Sequence, residues 1–148
     1  MIEVTKIIEW DMGHRVPNHK SKCRNPHGHR YRLEVTVGGP LIDTEGASDQ
    51  GMVIDFGDIK EVIKTQVHDV LDHGFMVYEG DDTMKPALDA MNAAGSDFLV
   101  ISVPFIPTAE NIVRWCFEQI QPQLPEQVEV TKLRLYETPN SWADYIAK

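Results

Sequence analysis

The chain has few cysteines and no long apolar run. Its 148 residues include two cysteines, Cys23 and Cys116, too few for a disulfide framework and typical of a reducing compartment. No stretch of eighteen apolar residues occurs, which excludes a membrane-spanning helix, and the first residues lack the apolar stretch of a signal peptide. Glycine and proline are too sparse, and the hydrophobic share of 42% too high, for a fibrous or disordered chain. We therefore expect one cytoplasmic domain, residues 1–148.

Charge is distributed unevenly along the chain. Fourteen Lys and Arg against 23 Asp and Glu give a net charge of −9, which opposes binding to nucleic acid or to an anionic membrane. Between Asp11 and Glu34, however, no acidic residue occurs. This interval predicts a local site for a small anion, with a solvated basic loop as the alternative. Its cations and histidines are Arg15, Lys20, Lys22, Arg24, Arg30, Arg32, His14, His19, His27 and His29.

Hydrophobic periodicity predicts an α+β domain. Helical spacing predicts one helix that begins after Asp55 and ends near residues 72–74, and a second that begins after Thr108. A short helix is expected over residues 86–94, and the rest of residues 75–97 has no clear pattern. Hairpins with helices on one face are typical of the α+β class. Strands are predicted over residues 2–10, 27–37, 98–105, 128–137 and 142–147.

Two histidines flank a glycine where the second predicted strand begins. Side chains at positions i and i+2 of a strand share a face, about 6.5–7 Å apart at their Cα atoms, so His27 and His29 can share one metal ion. His14 follows the first strand, and pairing of the two strands brings a third imidazole nearby. Three neutral imidazoles with an open position are typical of a catalytic zinc site. Two hydrogen-bonded or exposed histidines are the alternative for a lone His-x-His pair.

Cys23 lies four residues before His27, among cations that stabilise a thiolate. Its polar neighbours argue against a core position, whereas Cys116 lies on the apolar face of a predicted helix and fits the core. Cys23 is therefore a candidate reactive thiol. It could instead be a fourth zinc ligand, which would close the metal site.

Two further carboxylates stand out. Asp72 beside His73 can raise the basicity of that imidazole and fix its tautomer, although an ordinary polar helix end explains the pair as well. Glu137 shares strand parity with Leu133 and Leu135, and a carboxylate on an apolar face needs a partner. Two adjacent N–H donors on the edge of a guanidine-like ligand would satisfy it. Alternatively the parity breaks at the turn and Glu137 faces water.

Six short segments occur in an order and spacing that carry a specific resemblance. They are His14 after the first strand, Cys23–His29, Val53–Phe56, Leu71–His73, Pro107–Asn111 and Tyr136–Thr138. Together they resemble the family of 6-pyruvoyltetrahydropterin synthase and 6-carboxytetrahydropterin synthase. Three residues between the cysteine and the next histidine resemble the branch that serves 7-deazaguanine (queuosine) biosynthesis. The pyruvoyl branch generally has a longer gap, and the folate-linked branch has a glutamate in place of the cysteine.

The resemblance implies a tunnelling fold, in which a four-stranded antiparallel sheet carries two helices on one face. Such subunits assemble through their sheets into rings, so the resemblance implies a homo-hexamer, a dimer of trimers, with sites at subunit interfaces. About 34 residues separate His73 from Thr108, more than in compact members. We therefore expect an insertion over about residues 75–106, which could add a strand and alter the rim of the site.

The resemblance also implies roles for individual residues. The implied zinc ligands are His14, His27 and His29. The implied catalytic residues are Cys23 as general base, Asp72 and His73 as a proton relay, and Glu137 coupled to that relay. The implied substrate-binding residues are Glu137 on the pterin edge, Thr108 and Glu110 in a neighbouring subunit's pocket, and Lys20, Lys22 and Arg24 toward the triphosphate.

The reaction implied is the conversion of 7,8-dihydroneopterin triphosphate to 6-carboxy-5,6,7,8-tetrahydropterin, acetaldehyde and triphosphate. Alternatives are a pyruvoyl product from the same site, or a zinc- or pterin-binding module without catalysis. A nucleic-acid binder would use the basic interval, but the negative net charge and the lack of interleaved aromatic residues oppose it.

Overall fold

Two long antiparallel strands form the centre of the protein. The computed structural model describes all residues from 1 to 148, and it pairs β1 (Ile2–His14) with β2 (His27–Gly39) residue for residue. One face of this pair, the inner face, is buried; the other, the outer face, carries charged side chains. The first strand extends to His14, four residues beyond the predicted end. Its inner-face side chains are Trp10, Met12 and His14, opposite Tyr31, His29 and His27 of β2.

The sheet contains more strands than expected. The order is β4-β3-β1-β2-β5-β6, with β3 at Phe75–Tyr78, β4 at Val100–Val103, β5 at Glu129–Thr138 and β6 at Ser141–Ile146. Four strands (β1, β2, β5, β6) form the expected antiparallel sheet. The 75–106 segment adds β3 and β4, which run parallel to β1. The sheet is therefore six-stranded and mixed rather than four-stranded, while the α+β class is as predicted.

The missed strand β3 has a physical explanation. Met76 and Val77 are adjacent and both buried, so this strand is covered on both faces. A strand buried on both faces lacks the alternation of apolar and polar residues that marks a half-exposed strand. Its sequence pattern therefore could not be distinguished from that of a short buried turn of helix.

Two amphipathic helices cover the inner face. The first helical path runs through α1 (Phe56–Ile63), a π-helical turn (Lys64–His68) and α2 (Asp69–Leu71); the last long helix is α4 (Ala109–Ile120). The carboxylate of Asp55 accepts a hydrogen bond from the Gly57 amide, and the Thr108 hydroxyl from the Asn111 amide, so both predicted N-caps are formed. No helix is both long and apolar enough to span a membrane. The buried stripes are Ile59, Ile63, Val67 and Leu71 on the first path, and Ile112, Val113, Cys116 and Ile120 on the second.

The 75–106 segment lies beside the end of β1. Between β3 and β4 it forms α3 (Met84–Ala93), close to the short helix expected over 86–94. The amide of Gly13 donates to the carbonyl of Gly74, and Phe75 and Met76 pair with Gly13 and His14. The segment therefore packs where β1 ends in a histidine.

Candidate metal and catalytic site

The three predicted histidines meet at one end of the β1–β2 pair. His14 is the last residue of β1 and faces His27, the first residue of β2, while His29 lies two residues further on the same face. The centroids of the three rings lie 4.6–5.1 Å apart. One ligand nitrogen from each lies within 4.8 Å of the others. The structure thus brings together the side chains that the sequence pattern predicts as metal ligands.

Backbone carbonyls orient two of these rings. Nδ1 of His14 donates to the carbonyl of Pro107 at 2.7 Å, and Nδ1 of His27 donates to the carbonyl of Asn25 at 2.6 Å. Because a carbonyl only accepts, both protons lie on Nδ1 in the neutral rings, and the two Nε2 lone pairs face each other at 3.1 Å. A cation between them would turn this repulsion into two bonds, and such carbonyl contacts are typical of histidines that bind metals.

The third ring has a buried nitrogen without a partner. Nε2 of His29 makes no hydrogen bond, and the nearest carboxylate oxygen, from Glu137, lies 3.6 Å away. Leaving such a group unsatisfied is costly, so the atom fits a ligand role. No thiol or carboxylate joins the cluster, because Cys23 Sγ is not within 4.8 Å of all three nitrogens. The donor set is therefore three imidazoles, which suits zinc with an open position.

Burial keeps the imidazoles of His14 and His29 neutral. Burial lowers the pKa of His14 from 6.5 to about 4, outweighing the Pro107 hydrogen bond, which favours the protonated ring; nearby His27 lowers the pKa further. Burial, followed by His27, also lowers the pKa of His29. Both rings are therefore neutral at pH 7, which is the form that binds metal ions.

A cavity of about 260 Å³ collects four of the other predicted residues. Cys23 reaches it from a short 3₁₀ turn (Lys22–Arg24), Thr108 and Glu110 from the start of α4, and Glu137 from the end of β5. These residues are far apart in sequence, and only the fold brings them together. Cys23 is half-buried at this cavity, whereas Cys116 is fully buried, as expected for a core residue.

Glu137 lies on the inner face, on the parity expected from Leu133 and Leu135. Its carboxylate is within 3.6 Å of His29 and is half-buried. Burial raises its pKa; His27 opposes this shift and Glu110 adds to it. A carboxylate in these surroundings is stabilised by any N–H donors that enter the cavity.

The basic residues proposed for the triphosphate lie outside this cavity. Lys20, Lys22 and Arg24 are exposed around Cys23, and none of them lines it. Arg24 donates to the carbonyl of Ser21 and so closes its own turn. The structure therefore places three exposed cations on the loop that carries Cys23.

Asp72 and His73 form the expected pair at the end of the first helical path. Nδ1 of His73 lies 2.9 Å from Asp72 Oδ2, and His73 has φ of 63°, a left-handed conformation rare for a non-glycine residue. Two hydrogen bonds to Asp11 hold this turn: the Asp11 amide donates to Asp72, and the His73 amide donates to the Asp11 carbonyl. Burial raises the pKa of Asp72, but the hydrogen bonds from His73 and Asp11 outweigh it and lower the pKa.

This pair lies on the opposite face of the strands from the histidine cluster. His73 lines a groove of about 420 Å³ with Asp11 and Arg30, and His29 also borders this groove. The side chains of Asp11 and Arg30 form an ion pair of 3.0 Å on the outer face. The histidine cluster is on the inner face. Within one chain, the structure therefore does not bring Asp72 and His73 together with Cys23.

Several residues of the cavity were not identified from the sequence. Trp142 at the start of β6 lines the cavity while 48% exposed, and it packs against Arg134, whose guanidinium lies 4.6 Å from the ring centroid. A tryptophan directly after a predicted turn was the signal available in the sequence. Val16 and Ser141 also line the cavity and were not identified, whereas His19 belongs to the basic interval and Ala109 to the Pro107–Asn111 segment noted in the sequence.

The fold and the site together define an α+β protein with an open three-histidine centre beside a cavity lined by a thiol and carboxylates. The sequence model of the 6-pyruvoyl tetrahydropterin synthase family matches residues 3–148. The chain belongs to this family. The resemblance seen in the sequence is therefore confirmed.

One relative is named 6-carboxy-5,6,7,8-tetrahydropterin synthase, from Haemophilus influenzae. It is 33% identical over 145 residues, which cover 98% of this chain and 99% of the relative. With this name the expectation of an enzyme, a lyase, is confirmed.

Solved structures share the fold. An uncharacterised protein from Wolinella succinogenes has a TM-score of 0.79 at 24% identity, covering 99% of this chain and 98% of the other. The 6-pyruvoyl tetrahydropterin synthase of Caenorhabditis elegans has a TM-score of 0.69 at 20% identity, covering 99% and 96%. The predicted tunnelling fold is therefore confirmed, with β3 and β4 added to the four strands that the resemblance implies. Of these two, β4 lies within the strand predicted over residues 98–105, and β3 was not predicted.

In metal-free protein, the free energy of unfolding should fall as the pH is lowered from about 7 to about 4. His14 takes up a proton near pH 6.5 when unfolded but only near pH 4 when folded, so the unfolded state binds more protons in this window. The stability due to His14 is present above pH 6.5 and lost as the pH falls through 4, a change on the order of 3 kcal/mol.

Chemical denaturation of chelator-treated protein at about pH 7 and about pH 4 measures this change. His14→Asn keeps a donor toward Pro107 but does not titrate, so its stability should depend less on pH. An equal pH dependence in the wild type and this variant would contradict the assignment.

Proposed function

We propose that the protein is a cytoplasmic 6-carboxytetrahydropterin synthase, a carbon–carbon lyase of 7-deazaguanine (queuosine) biosynthesis. It converts 7,8-dihydroneopterin triphosphate to 6-carboxy-5,6,7,8-tetrahydropterin, acetaldehyde and triphosphate. The observation that carries the proposal is the convergence of Cys23, Glu137 and the three histidines at one site. The name of the Haemophilus influenzae relative supports the same reaction.

We assign a zinc ion to His14, His27 and His29. The facing Nε2 lone pairs, the unpartnered Nε2 of His29 and the lowered pKa values support this assignment. Zinc bound there supplies a Lewis acid for the hydroxyl groups of the dihydropterin side chain.

Cys23 is the general base in this proposal. It is the thiol that borders the cavity, whereas Cys116 is fully buried in the core. Its absence from the histidine cluster supports a base rather than a fourth ligand. The loop that carries it leaves the thiol half-buried, within reach of a substrate bound in the cavity.

Glu137 holds the pterin. The 2-amino group and N3–H of a pterin are adjacent donors, and a carboxylate can accept from both at once. The half-buried position makes this pairing stronger than it would be in water. Thr108 and Glu110 border the same cavity, although the Thr108 hydroxyl oxygen already accepts from the Asn111 amide.

Assembly completes the site. Asp72 and His73 lie on the outer face and do not reach the Cys23 cavity of their own chain. We propose a homo-hexamer, a dimer of trimers, in which the pair from one subunit relays protons at a neighbouring subunit's cavity. The alternative of a zinc- or pterin-binding module requires neither Cys23 nor this pair, so the experiments below separate the two.

The purified enzyme, incubated with 7,8-dihydroneopterin triphosphate, should form 6-carboxytetrahydropterin and release acetaldehyde. Mass spectrometry identifies the pterin product. Cys23→Ala should lower turnover by about 10²–10⁴-fold, because a positioned base is lost. Pyruvoyltetrahydropterin as the main product would assign the protein to the other branch, and no conversion by zinc-loaded protein would favour the binding module.

Replacing a ligand should remove the metal. His27→Ala and His29→Ala should lose zinc while remaining folded, since each deletes one of three donors. Elemental analysis of purified protein measures the metal. Cys23→Ala should retain zinc, and His68→Ala, a histidine outside the cluster, serves as the matched control. Full zinc occupancy in His29→Ala, or loss of zinc in Cys23→Ala, would refute this ligand set.

Mixing two inactive variants tests the shared site. Homo-oligomers of Cys23→Ala and of His73→Ala should both be inactive. Mixed oligomers should recover roughly a quarter of wild-type turnover, since half the cavities keep Cys23 and half of those meet an intact His73 of the partner subunit. The control mixes Cys23→Ala with Glu137→Ala; these residues line one cavity of one chain, so no intact site forms. Mixtures with His73→Ala that stay inactive would contradict the arrangement.

A further inference from the structure

Asp81 is a buried carboxylate outside the site described above. Its side chain is 1% exposed, and its two oxygens accept from Nε and Nη2 of Arg15, the first at 2.6 Å. Further hydrogen bonds come from the amides of Thr83 and Met84 at the start of α3. The Asp81 carboxylate is thus held rigidly within the 75–106 segment. It binds Arg15, which lies 66 positions earlier in the chain.

Arg15 stands where the strand turns into the loop of the site. It follows the ligand His14 directly, and it precedes Val16, whose amide donates to the carbonyl of Cys23 at 2.8 Å. The side chain of Val16 lines the same cavity as Cys23. A shift of Arg15 is therefore passed through one residue and one hydrogen bond to the backbone of Cys23.

The geometry of the contact suits positioning more than stability. A guanidinium that meets a carboxylate through two parallel N–H donors has one preferred orientation, unlike a flexible ammonium. Buried ion pairs add little net stability compared with apolar packing, and some of them specify one conformation. The ion pair joins Arg15, the residue at which the loop of Cys23 begins, to Asp81, which is anchored at the start of α3. This placement fits the role of specifying one conformation.

We propose that Asp81 is a positioning residue that acts through Arg15 to hold the loop from Val16 to Cys23, and with it the thiol, at the edge of the cavity. The proposal rests on the proposed function in treating Cys23 as the reactive group. In this proposal the 75–106 segment not only adds two strands to the sheet but also holds the loop of Cys23 in place.

The test uses three single variants of the full chain. Asp81→Asn keeps an oxygen for the helix amides but loses the charge, and Arg15→Lys keeps the charge but loses the two-donor contact. Asp89→Asn is the matched control, because it breaks the exposed ion pair of Asp89 with Lys85 on the same helix. Each is studied below its own unfolding transition, after zinc content has been measured.

The first readout is alkylation of Cys23 by iodoacetamide, located by mass spectrometry. Cys116 is fully buried, so the folded protein should be labelled at Cys23. Alkylation should be severalfold faster in Asp81→Asn and Arg15→Lys, because a loosened loop exposes the thiol, while turnover falls by about 10- to 100-fold through misplacement. Zinc content should not change. In Asp89→Asn both rates should equal those of the wild type.

The double variant of Arg15→Lys and Asp81→Asn provides the second readout. If the pair acts as one unit, the double variant should alkylate no faster than the faster single variant. Unchanged alkylation in Arg15→Lys, additive effects in the double variant, or an equal rise in Asp89→Asn would each overturn the proposal. The wild-type enzyme could itself fail to turn over the substrate while the two variants still alkylate faster than it does. That result would support the positioning role and refute the proposed reaction, so failure of the proposal and failure of the proposed function are distinguishable. If Asp81→Asn does not fold, Arg15→Lys alone decides through its alkylation rate.

Discussion

The pairing of β1 with β2 determines where every other part of the site can lie. Thirteen consecutive pairs align these strands, and a slip of one residue would move each side chain to the other face. Trp10 lies opposite Tyr31, and both are fully buried. A slip of either strand is therefore costly, because it would place one large aromatic ring in water. The packing of the core therefore protects the register that places His14 opposite His27.

The same burial that secures the register also prepares the histidines chemically. Desolvation disfavours the charged imidazole, so the pKa of His14 falls to about 4 and the ring stays neutral. The cost is a set of polar atoms with poor partners, including the Nε2 lone pairs of His14 and His27 and the bare Nε2 of His29. A metal ion bound at this point would satisfy all three nitrogens at once and would remove that cost.

Features with local causes were predictable, and features that depend on distant contacts were not. The caps at Asp55 and Thr108 and the shared face of His27 and His29 each follow from a few neighbouring residues, and the structure has them as expected. Strand β3, which was not predicted, lacks the alternation of apolar and polar residues, because both its faces are buried. The contact of Asp81 with Arg15 spans 66 residues, and no pattern within either segment indicates the other. The cavity around Cys23 was anticipated only through resemblance to a family.

Gly13 and Gly28 pair with each other near the end of β1 and the start of β2. Neither adds a side chain to the inner or the outer face of the strands there. A side chain at Gly28 would come within 3.2 Å of the Met12 carbonyl, and one at Gly13 would collide with the ring of Phe75. Because neither glycine has a side chain, the two strands approach closely here. The histidines lie on the inner face and the His73 groove on the outer face. Within one chain, the groove that His73 lines and the cavity that Cys23 lines share no residue. A reaction that used both would need the groove of one subunit beside the cavity of another, which is the arrangement that the proposed assembly supplies.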